Sequence, residues 1–138
     1  MDMMTSEKVL TRQALPNGLT LEFWDLSKPT AGDRWQVVVE VRLAIPVTPD
    51  NLPPELKEKL SEAAAALGSP VLFTKQEVRN FVAAGEVAEL VKKIVAEMLA
   101  SLQDYLGHPQ FAPRFLRKKF LEFQETRKWY PDDQTGAR

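Results

Sequence analysis

The segment RWQVVVEVRLAI, residues 34–45, constrains the fold more than any other stretch of the chain. Trp35, Val37, Val39, Val41, Leu43 and Ile45 alternate with Arg34, Gln36, Val38, Glu40, Arg42 and Ala44. A period of two held this long, and rich in valine, predicts one strand with an apolar face to bury and a polar face turned away. Such a strand needs partners on its edges and a layer over its apolar face.

The rest of the sequence offers both. Residues 8–14 read as a first strand, and LPNGL follows as a tight turn in which Pro16 stops the strand. Leu19, Leu21 and Phe23 then alternate with Thr20, Glu22 and Trp24, as in a half-buried strand. SKPTAGD reads as a loop. Pro46, Pro49, Pro53 and Pro54 mark a stiff connector, after which Leu56, Leu60, Ala63 or Ala64, and Leu67 fall at helical spacing up to a stop at Gly68. VLFTKQEVRNFV, residues 71–82, reads as a fourth strand with Phe73 and Phe81 on one face and Val78 and Val82 on the other. Residues 85–106 carry a wide apolar arc at helical period, and a last helix is expected over 113–128.

Three strands with short connections favour an antiparallel meander, and helices with one apolar face need a sheet to cover. The expectation is therefore α+β: a four-stranded, mainly antiparallel sheet with about three helices packed on one face. It forms a single domain over 1–130, followed by a flexible C-terminal tail at 131–138.

Composition narrows the function classes. The chain has 138 residues, 44% of them hydrophobic, and a net charge of −1, so no global field draws it to nucleic acid or to a membrane surface. With no cysteine, disulfides, thiolate metal sites and thiol catalysis are excluded. The N-terminus MDMMTSEKVLTRQ has no apolar run of signal-peptide length, and a cytoplasmic location is expected. No phosphate-cradling glycine loop, zincin motif or nucleophile elbow appears, and no cofactor or metal is expected.

Three groups of residues are candidates for function. His108 is the single histidine and follows Asp104 by one helical turn, but a metal site needs further ligands. Gly107-His108-Pro109 reads more simply as a helix stop, with Gly107 in the left-handed region. Arg114, Arg117 and Lys118 could bind an anion or nucleic acid, yet they lie opposite Ala112, Leu116, Phe120 and Phe123, as on any amphipathic helix that packs on a core. The third group is the outer sheet face with the stretch WDLSKPTAGDRW. There Trp24, Asp25, Asp33, Arg34, Glu40 and Arg42 form the best candidate ligand or partner surface, with an exposed Trp24 as its contact residue.

LPNGLTLEFWDLSKPTAGDRW together with YLGHPQFAPRF resembles a family of small uncharacterised bacterial proteins over most of the chain. That resemblance implies no activity, site or substrate. The leading expectation is a small binding or interaction module whose partner is a protein or small molecule, and whose sheet edge or open face could pair two copies as a homodimer. The alternatives are an anion or nucleic-acid binder working through the C-terminal basic helix, and a small enzyme with a carboxylate–arginine site at Asp25, Asp33 and Arg34.

Overall fold

The computed structural model describes residues 7–129, the side chains of residues 128 and 129 excepted, so the tail expected at 131–138 lies outside the described residues. Its elements are β1 (Lys8–Ala14), β2 (Thr20–Asp25), β3 (Lys28–Pro29), β4 (Arg34–Ile45), α1 (Leu60–Leu67), β5 (Val71–Ala83), α2 (Val87–Leu106) and α3 (Phe111–Trp129). The architecture is α+β with an antiparallel sheet and three α-helices, as the periodicities predict. The chain divides into two compact units, Met1–Ala44 with Leu72–His108 and Ile45–Val71 with Pro109–Arg138. Among the described residues no helix is long and apolar enough to cross a membrane.

The first unit is built on β4. One edge of β4 pairs with β2, which in turn pairs with β1, giving the expected meander. SKPTAGD is not wholly a loop, because Lys28 and Pro29 form β3. Pairs such as Asp25 with Val39 and Lys28 with Gln36 keep one register, so β3 prolongs β2 along the same edge of β4. Between them the ladder is half backbone and half side chain: the Leu26 N–H donates to the Val38 carbonyl at 2.9 Å, and the Ser27 hydroxyl accepts the Val38 N–H at 3.0 Å. Asp25 in turn accepts the Ser27 N–H at 2.9 Å, the local turn that short acidic side chains favour.

Leu21, Phe23, Val37, Val39, Val41 and Leu43 are buried on the inner face, as the alternation requires. Helix α2 covers that face with Val91, Ile94, Met98, Leu102 and Leu106. Each such side chain contributes about 1.5–3 kcal/mol when fully withdrawn from water, an upper estimate given residual burial in the unfolded chain.

Gly107 ends α2 for a different reason from the one its type suggests. Its φ of −89° and ψ of −1° are open to any residue, not left-handed. What glycine supplies is room, since a Cβ there would lie 2.8 Å from the Gln103 carbonyl oxygen and 2.8 Å from Pro16 Cδ in the β1–β2 turn. Gly18 in that turn does take positive φ, at 90°.

β5 pairs with the other edge of β4. Gln36 reaches Asn80 at 3.0 Å and Gln76 reaches Glu40 at 2.6 Å, so the two strands run in opposite directions with even-numbered residues on the shared outer face. The expected pairing of Phe73 with Phe81 on one face fails. Phe81 has φ of +59° and is 80% exposed, which breaks the alternation and turns Val82 into the core instead.

In the second unit a 3₁₀ segment, Pro54–Lys59, leads into α1, which packs against α3. Leu52, Leu56, Ala63, Phe111, Ala112, Leu116 and Phe120 are buried. Gly68 stops α1 at φ of 78°, its N–H bonded to the Ala64 carbonyl at 2.8 Å. Helix α3 starts two residues before the expected 113, which leaves Pro113 in the first turn, where a missing N–H costs nothing.

Candidate functional site

The outer sheet face brings Trp24, Glu40 and Arg42 together, and they engage one another. Arg12, Glu22 and Arg42 stand opposite each other across β1, β2 and β4. The Arg12 Nε donates to Glu22 at 3.0 Å, and the Trp24 indole N–H donates to the other Glu22 oxygen at 2.9 Å. Those two bonds, the indole's first, hold the Glu22 carboxyl below its ordinary range. Arg42 lies over the Trp24 ring, 4.3 Å from its centroid, and donates to Glu40 at 2.5 Å. For Glu40 burial pushes the pKa up, but bonds from Gln76 and Arg42 outweigh it and the net shift is downward. Trp24 is half-buried, its N–H bonded to Glu22 and its ring under a guanidinium. This face is a cross-strand polar network that holds strands together.

The other predicted residues separate. Asp33 and Arg34 sit at the tip of the β3–β4 hairpin, with Arg34 Nε 3.7 Å from the Asp33 carboxylate. Asp25 belongs to a groove of about 650 Å³ on the opposite side of the sheet, which neither Asp33 nor Arg34 lines. The carboxylate–arginine cluster drawn from Asp25, Asp33 and Arg34 therefore does not assemble around this groove.

That groove lies where the first turns of α2 cross the end of the sheet. Leu10, Trp35, Val87, Ala88 and Val91 provide apolar walls. Asp25 and Ser27 contribute from β2 and the turn after it, and Glu7, Lys8 and Lys92 complete the lining. Ser27 is 3% exposed, and its N–H is anchored by Asp25. Two local features shape the site. The pairing of β1 with β2 slips by one residue between Val9 and Thr11, leaving Leu10 as the extra residue of a bulge, and Leu10 lines the groove. The break between β2 and β3 places Asp25 and Ser27 at the same end. Periodicity alone puts Trp35, Val87 and Val91 on apolar faces and Lys92 on a polar one, and it passes over Leu10, Ser27 and Ala88. The sole available signal was the polar Asp25-Leu26-Ser27 step inside a run of strand residues.

Arg114, Arg117 and Lys118 do share one face of α3, around a shallow groove of about 450 Å³ with Leu121, Glu122 and Glu125. Arg117 is already engaged there, donating to both carboxylate oxygens of Glu55, at 2.5 and 3.1 Å. This fork draws the Glu55 pKa down to about 2. His108 follows the end of α2 as expected, its N–H bonded to the Tyr105 carbonyl at 3.3 Å. Among the described residues no group of three His, Cys, Asp or Glu side chains could hold a metal ion.

No protein-family model, no curated protein and no solved structure matches the chain.

Proposed function

We propose that the protein is a small binding module whose groove at the start of α2 takes a mostly apolar small molecule carrying a hydrogen-bonding group. The observation that carries this reading is the meeting, in one groove of about 650 Å³, of apolar walls with the Asp25 carboxylate and the buried Ser27. Small-molecule sites have about 300–1,000 Å³, apolar linings and a few fixed polar groups. Asp25 and Glu7 are matched there by Lys8 and Lys92, so the site demands no net charge of its ligand. This keeps Asp25 from the surface expected on sequence grounds and moves the contact from the outer sheet face to the helix-covered one. On the outer face Trp24, Glu40 and Arg42 already use their polar groups on each other. A reducing cytoplasm suits a chain without cysteine.

The test is amide and indole chemical-shift mapping against a panel of small apolar amines, acids and neutral amides. Binding should move the Trp35 indole and the Val87, Ala88 and Val91 amides in a saturable way. Saturable shifts confined to the α3 face or the outer sheet would overturn the assignment.

A further inference from the structure

β5 is a sheet edge thirteen residues long by its bounds, Val71–Ala83, and among the described residues it pairs with β4 alone. A long edge presents a row of backbone donors and acceptors, which proteins ordinarily blunt with short strands, proline or covering elements. β5 contains no proline, and eight of its thirteen residues are exposed. It also carries Leu72, Val78 and Phe81, at 50, 40 and 80% exposure, three of the large apolar side chains most open to solvent among the described residues.

The order of its charges says what would cover it. Lys75 and Glu77 flank Gln76, and Gln76 is the midpoint of the regular stretch from Leu72 to Asn80, before the positive φ of Phe81 interrupts it. In an antiparallel pair, residues directly opposite share a face and interact. If a second β5 is laid against the first about Gln76, Lys75 of each copy meets Glu77 of the other, twice, while Thr74 meets Val78. Moving the centre by one residue to Glu77 sets glutamate against glutamate and Lys75 against Arg79. The Glu77–Arg79 contact within the strand, 2.9 Å between side chains about two-fifths exposed, is a surface pair that yields easily to a better partner.

We propose that two copies of this chain associate through an antiparallel β5–β5 seam with its twofold axis at Gln76, joining their sheets into one. The pairing is isologous and closed, so it satisfies both β5 edges at once and leaves neither of them open to a third copy. It uses no residue of the α2 groove and stands independently of the ligand reading.

Light scattering and sedimentation equilibrium on the full chain test the seam. The wild type should have about twice the 15.6 kDa chain mass. Glu77→Lys alone and Lys75→Glu alone each set like charges opposite one another twice, and each should raise the dimer dissociation constant at least about tenfold. An equimolar mixture of the two variants restores opposite charges at both positions and should return the dimer. A wild type that stays at the chain mass at high concentration would overturn the proposal. So would dimers that ignore both single substitutions, or a mixture no tighter than its components.

Discussion

Asn17, in the β1–β2 turn, caps the end of helix α2: its side-chain amide donates to the Leu106 carbonyl at 2.8 Å and to the His108 carbonyl at 3.2 Å. The last carbonyls of a helix have no partner within it, and here a turn 89 residues earlier in the chain supplies one. The same turn presses Pro16 against Gly107. The β1–β2 turn thus fixes where α2 ends on the sheet, and so where its first turns form the groove.

Removing that cap should be felt in stability. Asn17→Ala leaves a part-buried carbonyl without its donor and should cost about 1–2 kcal/mol. Gly107→Ala forces the Cβ into backbone and ring atoms and should cost about 1–3 kcal/mol by overpacking. Urea unfolding of both variants checks this. Because they share one contact, the double variant should lose less than the sum.

How far the fold was legible depends on what each residue does. Alternation over Arg34–Ile45 gave the central strand with its observed bounds, because a two-sided environment leaves its period in the sequence. Gly107 was read as a helix stop correctly but for the wrong cause, since crowding by Pro16 is a tertiary fact and leaves no local mark. Phe81 was misplaced because a positive φ at an aromatic residue runs against its intrinsic preference. The groove was the least legible part. A bulge at Leu10 has no residue type that announces it, and Ser27 matters only because Val38 comes opposite. The motif WDLSKPTAGDRW singles out Asp25, which lines the groove, together with Asp33 and Arg34, which lie at the hairpin tip and do not.

Acid should loosen the outer sheet network. Glu22 and Glu40 have folded pKa values below the ordinary 4.5. A carboxylate so depressed contributes stability that is complete above its unfolded pKa and is lost as pH falls through the folded one. Unfolding free energy should therefore fall on acidification below about pH 4.5, and the fall should be shallower in Glu22→Gln/Glu40→Gln, which starts from a lower value at neutral pH. Denaturant titrations across that range measure both slopes.

Glu55 and Arg117 make a contrasting case. Their fork is exposed, so it should alter titration far more than stability. In Arg117→Ala the Glu55 carboxyl, now at about 2, should return toward its ordinary 4.5, as read by carboxyl-carbon NMR. The thermal midpoint should stay nearly unchanged.

The central claim is that the groove at the start of α2 is the ligand site, and shift mapping of the wild type beside Ala88→Trp tests it most directly. Ala88 is exposed on the groove wall, so an indole there can fill the space without disturbing the core. The account predicts saturable shifts at Trp35, Val87 and Val91 with a small apolar probe in the wild type, and their loss in an Ala88→Trp protein of unchanged circular dichroism. Shifts of equal size and affinity in both proteins, or none at millimolar probe concentration, would contradict it.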